Sequence, residues 1–157
     1  MPRQAALAAA LSMEHIEVSA LATHIGALSD WDEARQCHEL DEDKLLDSME
    51  PKLGLGGCVV AYHSCEMFPK RWFDLVVVLQ CNTDVLFDRL TARGYTDAKK
   101  AENIQCEIMQ VLLDEARESY DAQIVVPLKS NDRDEMNSNL ERAKAWHAHW
   151  LKDQVPL

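Results

Sequence analysis

The sequence contains little glycine, five in 157 residues, and none lies in a recognisable phosphate-binding loop. The P-loop pattern G-x-x-x-x-G-K-[ST] connects a strand to a helix, so that its backbone N–H groups surround the phosphates. No glycine here is followed by a Lys-Ser or Lys-Thr pair, and the densest group, GLGG at 54–57, comes before a predicted strand. We therefore interpret GLGG as a turn.

Long hydrophobic runs and a basic surface are also missing. No window approaches 18 consecutive apolar residues, so no transmembrane helix is predicted. The Ala/Leu stretch at 2–13 is short and weakly hydrophobic, which favours an amphipathic first helix over a signal peptide. The formal net charge of −11 argues against a sequence-specific nucleic-acid binder or a membrane-surface protein, because both need a basic face.

Paired metal-ligating residues are absent from the sequence as well. The five cysteines are odd in number and irregularly spaced, which fits reduced intracellular thiols better than a disulfide framework. His63 and Cys65 lie two residues apart after a predicted strand, but the sequence has no C-x-x-C or H-x₃-H pair. Zinc normally takes four ligands in recognisable pairs, so no metal-ligating residue is assigned.

Strand and helix signals alternate along the chain. Apolar runs predict strands at 15–18, 58–63, 73–81 and 122–128; helical spacing predicts helices at 3–12, 19–28, 41–50, 82–93, 98–121 and 133–152; a polar loop is predicted at 29–40. The strands at 58–63 and 73–81 are apolar on both faces, which predicts a parallel sheet covered by helices on both sides. This pattern indicates a single α/β domain. Ligands in such folds bind beyond the carboxyl ends of strands, here 61–66 and 80–83.

Some finer features carry their own predictions. Pro51 and the glycines after it are expected to end the third helix. One side of the helix at 98–121 is expected to face inward: Ile104, Ile108, Val111, Leu112 and Ala116. The helix at 41–50 starts with acidic residues suited to a helix N-terminus, and Asp132 or Asn131 is expected to cap the last helix, in which Leu151 is expected to be among the inward residues. Pro127, near the end of the strand at 122–128, favours a sheet edge. Arg93 precedes Gly94 at a helix end, where an arginine either clamps a phosphate or remains a solvated cation that complements the helix dipole.

Three segments together carry a family resemblance: LDEDKLLD at 40–47, GGCVVAYHSCEMFPKRWFDLVVVLQCNTDVLFDRLTARGY at 56–95, and ENIQCEI at 102–108. The chain resembles the adenylate kinase isoenzyme 6 family, also described as the coilin-interacting nuclear ATPase family, over about residues 14–155. The resemblance implies a P-loop nucleoside-monophosphate-kinase fold with a parallel sheet, an AMP-binding segment at 17–40 and a short lid at 92–102. It also implies ATP:AMP phosphotransferase and ATPase activity with ATP, AMP and Mg²⁺.

The resemblance further suggests site residues and a cellular role. Arg93, in the family's RGY block, and Asn103, in ENIQCEI, become candidate nucleotide-binding residues. His63 and Glu66, in the strand-end block, become candidate catalytic residues. The family is linked to maturation of the small ribosomal subunit through a small-subunit ribosomal protein, which implies a nuclear and cytoplasmic location.

The sequence departs from the family pattern at three elements. The family's first strand and its GTPGVGKTT loop have no counterpart in the sequence as given, which is expected to be N-terminally incomplete. The family's strand-end VDYHGCD reads VAYHSCE, with Ala61 in place of Asp and Ser64 in place of Gly. The family's NVGDLAR reads EVSALAT, with Ala20 and Thr23 in place of Asp and Arg. Phosphoryl transfer depends almost wholly on positioning and charge neutralisation, so impaired catalysis is predicted.

The sequence leaves two pairs of alternatives open, one about the sheet and one about function. The family's first strand lies between the strands at 58–63 and 73–80, so either these two close up or the sequence is part of a longer one. Functionally, the chain is either an enzyme of the isoenzyme 6 family in its complete form or a non-catalytic relative that keeps a protein-binding surface for ribosome assembly.

Overall fold

The computed structural model describes residues 3–34 and 37–153. Seven α-helices and six strands are found in this part of the chain: α1 (Arg3–Leu11), β1 (Glu14–Glu17), α2 (Val18–His24), β2 (Leu28–Asp32), β3 (Cys37–Leu40), α3 (Glu42–Leu55), β4 (Cys58–Ala61), β5 (Val76–Gln80), α4 (Thr83–Ala92), α5 (Asp97–Ile108), α6 (Val111–Ser119), β6 (Val125–Lys129) and α7 (Arg133–Asp153). None of these helices is long and apolar enough to cross a membrane. The predicted α/β class with parallel strands is confirmed.

The chain divides into two compact units, residues 1–63 with 67–72 and residues 64–66 with 73–157. In the first unit, β1 and β4 pair in parallel, from Glu14 opposite Cys58 to Glu17 opposite Ala61. Helix α3 begins where the Asp41 carboxylate accepts a bond from the Lys44 N–H (3.1 Å), and it buries Leu45 and Met49 completely, one turn apart. The single-domain assignment stays a prediction.

The second unit is built on the parallel pair β5 and β6, aligned from Val76 opposite Val125 to Gln80 opposite Lys129. Its core is formed by five buried side chains from this sheet and from α6 with its flanking residue: Val78, Leu113, Ala116, Tyr120 and Val125. Pro127 lies opposite Val78, within the strand. A proline fits there because it cannot donate to a further strand, as expected for the sheet edge predicted at this position.

Two local predictions in the first unit are wrong. The polar loop expected at 29–40 contains β2 and β3, an antiparallel pair in which Trp31 lies opposite His38. Pro51 does not end α3, which continues to Leu55. A proline removes one backbone bond without preventing a further turn, and the helix ends at Gly56, one of the glycines that were expected to end it, whose φ of 76° is left-handed.

The helix predicted at 98–121 is interrupted. Helix α5 ends at Ile108, Gln110 has a left-handed φ of 52°, and α6 begins at Val111. This conformation costs a non-glycine residue about 1–2 kcal/mol. The break lets Leu113 and Ala116 reach the core while it leaves Ile108 60% and Val111 45% exposed, contrary to the inward side that was expected.

The last helix, α7, is the longest described element, with 21 residues. It begins as expected at Asp132, whose carboxylate accepts from the Glu135 N–H (2.8 Å). Leu151, expected to face inward, is 47% exposed, and no side chain described on α7 is fully buried. The helical spacing of apolar residues therefore predicted α7 correctly, but it overestimated how far the side chains of α7 are buried.

The strand order bears on the missing first strand. Among the described residues, β4 is paired with β1, and β5 is paired with β6. Strands β4 and β5 belong to separate units, so the closing up of one onto the other stays a prediction. Each of the two strands thus has one described backbone partner.

Candidate functional site

The carboxyl end of β4 carries no acidic side chain of its own. Ala61 is 8% exposed and lies opposite Glu17 at the end of β1. The Glu17 carboxylate accepts bonds from the backbone N–H groups of Ser19 (3.3 Å) and Ala20 (2.7 Å), so it caps α2. The acid at this edge therefore comes from the neighbouring strand and already has a structural role.

Tyr62 and His63 come directly after Ala61 in the sequence. Their ring centroids are 4.1 Å apart, and the Tyr62 ring also meets Phe68 edge-on at 5.9 Å. Burial raises the pKa of Tyr62, and the Glu42 and Glu17 carboxylates raise it further. His63, the first predicted catalytic residue, is exposed beside this tyrosine.

The next three residues are bound to one carboxylate oxygen. Glu115 Oε1, on α6, accepts bonds from the Ser64 hydroxyl (2.9 Å), the Cys65 N–H (3.1 Å), the Glu66 N–H (3.2 Å) and the Cys65 thiol (3.7 Å). Tyr120, at the end of the same helix, donates from its hydroxyl to the Cys65 carbonyl oxygen (2.6 Å). Side chains of α6 and of Tyr120 at its end therefore bind both the backbone N–H groups and a backbone C=O group of this loop.

The electrostatics of this cluster follow from its burial and its bonds. Burial raises the pKa of the Glu115 carboxyl, but the bonds from Cys65, Ser64 and Glu66 outweigh it and lower the pKa overall. Burial and the adjacent Glu115 raise the pKa of Cys65 to about 12. Burial, with Cys65 and Glu115 nearby, raises the pKa of Tyr120 to about 12. Cys65 is thus a protonated thiol at neutral pH and is unsuited to nucleophilic chemistry.

The predicted site residues are distributed over both units. His63 belongs to the first unit, whereas Glu66, Arg93 and Asn103 belong to the second. Glu66 contributes its backbone N–H to Glu115, and its side chain is exposed. In the described part of the second unit, no hydrogen bond or ion pair joins any two of Glu66, Arg93 and Asn103. Their catalytic and nucleotide-binding roles stay predictions.

Arg93 lies within the segment at 92–102 that is predicted to be a lid, and Asn103 follows it directly. Arg93 is exposed at the end of α4, where its N–H donates to the Arg89 carbonyl (3.1 Å). The Asn103 amide donates within α5 to the Lys99 carbonyl (2.8 Å). Between them, buried Lys100 has its ammonium 3.3 Å from the Thr91 hydroxyl and 4.6 Å from the Phe87 ring centroid. Lys100 thereby fastens the start of α5 to α4.

A shallow pocket of about 230 Å³ opens at the second predicted location, the carboxyl end of β5. Its walls come from three parts of the second unit: Gln80–Thr83, Glu107–Ile108 with Gln110, and Lys129. The backbone N–H groups that follow β5 already have partners within the protein. The Cys81 N–H donates to the Glu107 carboxylate (3.2 Å), and the Asn82 N–H donates to the Asn131 side chain (2.6 Å). Ligand sites typically measure about 300–1,000 Å³, so this pocket fits part of a nucleotide at most.

The residues present do not fit a magnesium–ATP site. Mg²⁺ in kinase sites is held by carboxylates together with the phosphates, but Ala61 offers no oxygen where the resemblance expects Asp. Across residues 3–34 and 37–153, no three His, Cys, Asp or Glu side chains are grouped closely enough to hold a metal ion. The N–H groups after β4 and β5, which could face phosphates, are bonded to Glu115, Glu107 and Asn131.

Sequence reasoning missed the residues that hold the two strand ends. Glu115, Glu107 and Asn131 lie 26 to 51 positions from the groups they bind, so no local spacing identifies them. Glu115 sits within DEARE, which has the composition of an ordinary solvated helix face. Only the parallel pairing of β5 with β6, and the packing of α6 against that sheet, bring these side chains to the strand ends.

Comparison with known proteins gives a consistent result. A family model described as an AAA domain matches residues 5–110. The chain is similar to the adenylate kinase isoenzyme 6 homolog of Caenorhabditis elegans, with 51% identity covering 84% of this chain and 74% of that protein. The Drosophila melanogaster homolog is 40% identical, covering 93% and 83%. The Saccharomyces cerevisiae homolog FAP7 is 44% identical, covering 88% and 71%.

Proposed function

Because this chain belongs to the adenylate kinase isoenzyme 6 family, we propose that it acts on the family's nucleotide substrates, ATP and AMP, only with impaired phosphoryl transfer. The observation that carries the proposal is buried Ala61 at the end of β4, where the family has an Asp. Membership of the family implies the use of ATP with Mg²⁺. The loss of one group that stabilises charge in the transition state, such as the Asp missing at position 61, commonly lowers the rate by about 10²–10³.

A further observation supports impairment. Ala20 and Thr23, which replace the Asp and Arg of the AMP segment, lie on α2, where the Thr23 hydroxyl donates to the Ser19 carbonyl (3.1 Å). Neither residue offers charge to an AMP phosphate. A nucleotide bound by this chain would therefore depend on few charged contacts, with Arg93 as the remaining candidate.

Calorimetric titration of the purified 157-residue chain with ATP, in the presence and absence of Mg²⁺, tests this proposal. We expect weak or undetectable binding and a phosphotransfer rate near the uncatalysed background. Micromolar, magnesium-dependent ATP binding would contradict it. Arg93→Ala is expected to matter only if some nucleotide binding remains, and Lys99→Ala, a neighbouring surface cation, serves as its control.

A second candidate function is a protein-binding role in small ribosomal subunit maturation, in the nucleus and cytoplasm. It is favoured by three exposed apolar side chains at the break between α5 and α6: Ile108 at 60%, Met109 at 59% and Val111 at 45%. From Glu102 to Glu118 the chain carries five carboxylates and a single cation, Arg117. An apolar patch with acidic neighbours is complementary to a basic ribosomal protein.

Binding of purified small-subunit ribosomal proteins, measured by biolayer interferometry at two salt concentrations, tests this second role. Ile108→Glu and Met109→Glu should each weaken binding at least about tenfold, because truncation of an interface hot spot costs about 2 kcal/mol or more and tenfold corresponds to about 1.4 kcal/mol. Leu55→Glu changes a residue that is 89% exposed elsewhere and should leave binding unchanged. Equal affinity of all variants would exclude this surface, and no binding by the unmodified chain would exclude the role.

A further inference from the structure

The loop Ser64–Glu66 directs several hydrogen-bond donors at one point. Two successive backbone N–H groups, from Cys65 and Glu66, converge on one point together with the Ser64 hydroxyl and the Cys65 thiol. Convergent N–H groups of this kind form concave sites that bind phosphates and other anions in proteins. Here the point of convergence is a single oxygen of Glu115, which comes from 50 positions further along the chain.

We propose that Ser64–Glu66 forms an oxyanion nest whose resident ligand is the Glu115 carboxylate, and that Glu115 is the positioning residue of this strand-end loop. The loop geometry is then set by α6 rather than by a bound nucleotide. As long as Glu115 occupies the donors, they are not available to an external phosphate. This holds whether or not the chain transfers phosphoryl groups.

The departure from the family pattern at position 64 strengthens this arrangement. The family's Gly has no side chain, whereas the Ser64 hydroxyl donates a bond of 2.9 Å to Glu115. Bonds to an ionised acceptor are shorter and roughly twice as strong as neutral ones. Ala61 removes an acid at the end of β4, and Ser64 adds a donor just beyond it. The two changes together favour a loop whose conformation is held by Glu115 rather than by a bound nucleotide.

The rate at which Cys65 is alkylated reports whether the loop opens. Iodoacetamide modification at fixed pH, resolved for each cysteine by peptide mass spectrometry, is compared among variants. Glu115→Ala should accelerate Cys65 modification at least about tenfold, because it removes both the carboxylate that raises the pKa of the thiol and several charge-assisted bonds that oppose local opening. Ser64→Gly, which removes only the hydroxyl, should accelerate it severalfold. Glu118→Ala removes an exposed carboxylate from the same helix and should have no effect.

The other cysteines separate local opening from unfolding. Cys106 is exposed, so its alkylation shows when an accessible thiol is completely modified. The Cys58 thiol contacts the Lys52 and Gly56 carbonyls, so the alkylation rate of Cys58 reports unfolding of the first unit. The alkylation rate of Cys81, which is half-buried, reports unfolding of the second unit. Selective acceleration at Cys65 in Glu115→Ala and Ser64→Gly supports the proposal. An unchanged Cys65 rate, or equal acceleration at Cys58 and Cys81, overturns it, because Glu115 would then act only on global stability or not at all.

The nest itself is tested by adding a free carboxylate. In Glu115→Ala, sodium acetate should slow the alkylation of Cys65 back toward the rate of the unmodified protein, because the small anion replaces the missing side chain. Sodium chloride at the same ionic strength should not do so. If acetate has no more effect than chloride, the loop does not bind oxyanions and the assignment of a nest is wrong.

Discussion

Replacing Ala61 by the family's Asp tests how far this strand end has diverged from a metal site. In the parallel pairing of β1 with β4, position 61 lies opposite Glu17. Facing positions on neighbouring strands are about 5 Å apart. Ala61→Asp therefore places a second carboxylate beside the first, at a position where the native side chain is 8% exposed.

The magnitude follows from two contributions. Two like charges about 5 Å apart repel by about 3 kcal/mol at an effective dielectric constant of about 20, and the exposure of Glu17 reduces this to about 1–2 kcal/mol. Partial burial of the new carboxylate without a partner adds about 1–3 kcal/mol. We expect Ala61→Asp to lower the free energy of unfolding by about 2–5 kcal/mol at pH 7, and Ala61→Asn by about half as much.

The assay is urea denaturation, with Glu17→Gln used to complete a double-mutant cycle. Glu17→Gln should recover about 1 kcal/mol of the loss in Ala61→Asp, since the repulsion is removed while the amide oxygen still caps α2. Both effects raise the pKa of the new Asp in the folded protein, so the folded state binds its proton more tightly and the penalty should shrink as pH falls. Full stability of Ala61→Asp at pH 7, or no coupling to Glu17, would refute this account.

Three further changes have defined outcomes. Lys100→Met keeps most of the buried stem but loses the ammonium over the Phe87 ring, so it should destabilise the chain by about 1–2 kcal/mol in urea denaturation; an unchanged midpoint would contradict the fastening role. Gln110→Gly relieves a left-handed backbone and should raise the free energy of unfolding by up to about 1 kcal/mol; a decrease would mean that the side chain matters more than the backbone. Tyr120→Phe removes the bond to the Cys65 carbonyl and should cost about 1–2 kcal/mol, measured by thermal denaturation; a neutral result would show that Glu115 alone holds the loop.

Much of the fold and part of the site could be predicted from the sequence. The apolar runs located β4 and β5 and their parallel class, because a strand buried on both faces requires apolar residues at every position. The caps at Asp41 and Asp132 were readable because capping is a local interaction between a side chain and the next turn. The assignment of the strand ends at 61–66 and 80–83 as the ligand site stays a prediction, and the missing acid at Ala61 was visible only through the resemblance to the family.

Other features depended on the tertiary structure. The break at Gln110 has no local signal, because the helical spacing of Ile104, Ile108 and Val111 continues through it, and only the requirement that Leu113 and Ala116 meet the sheet places α6 on a new axis.

The sequence by itself determined the family, the α/β class and the loss of the strand-end acid, since these follow from residue identity and short spacing. Only the tertiary structure decided what occupies the strand end instead. The Glu115 carboxylate reaches Ser64–Glu66 because α6 packs beside β5 and β6, and that proximity joins positions about 50 residues apart. Long-range contacts of this kind are fixed by the packing of whole elements, which no local pattern records.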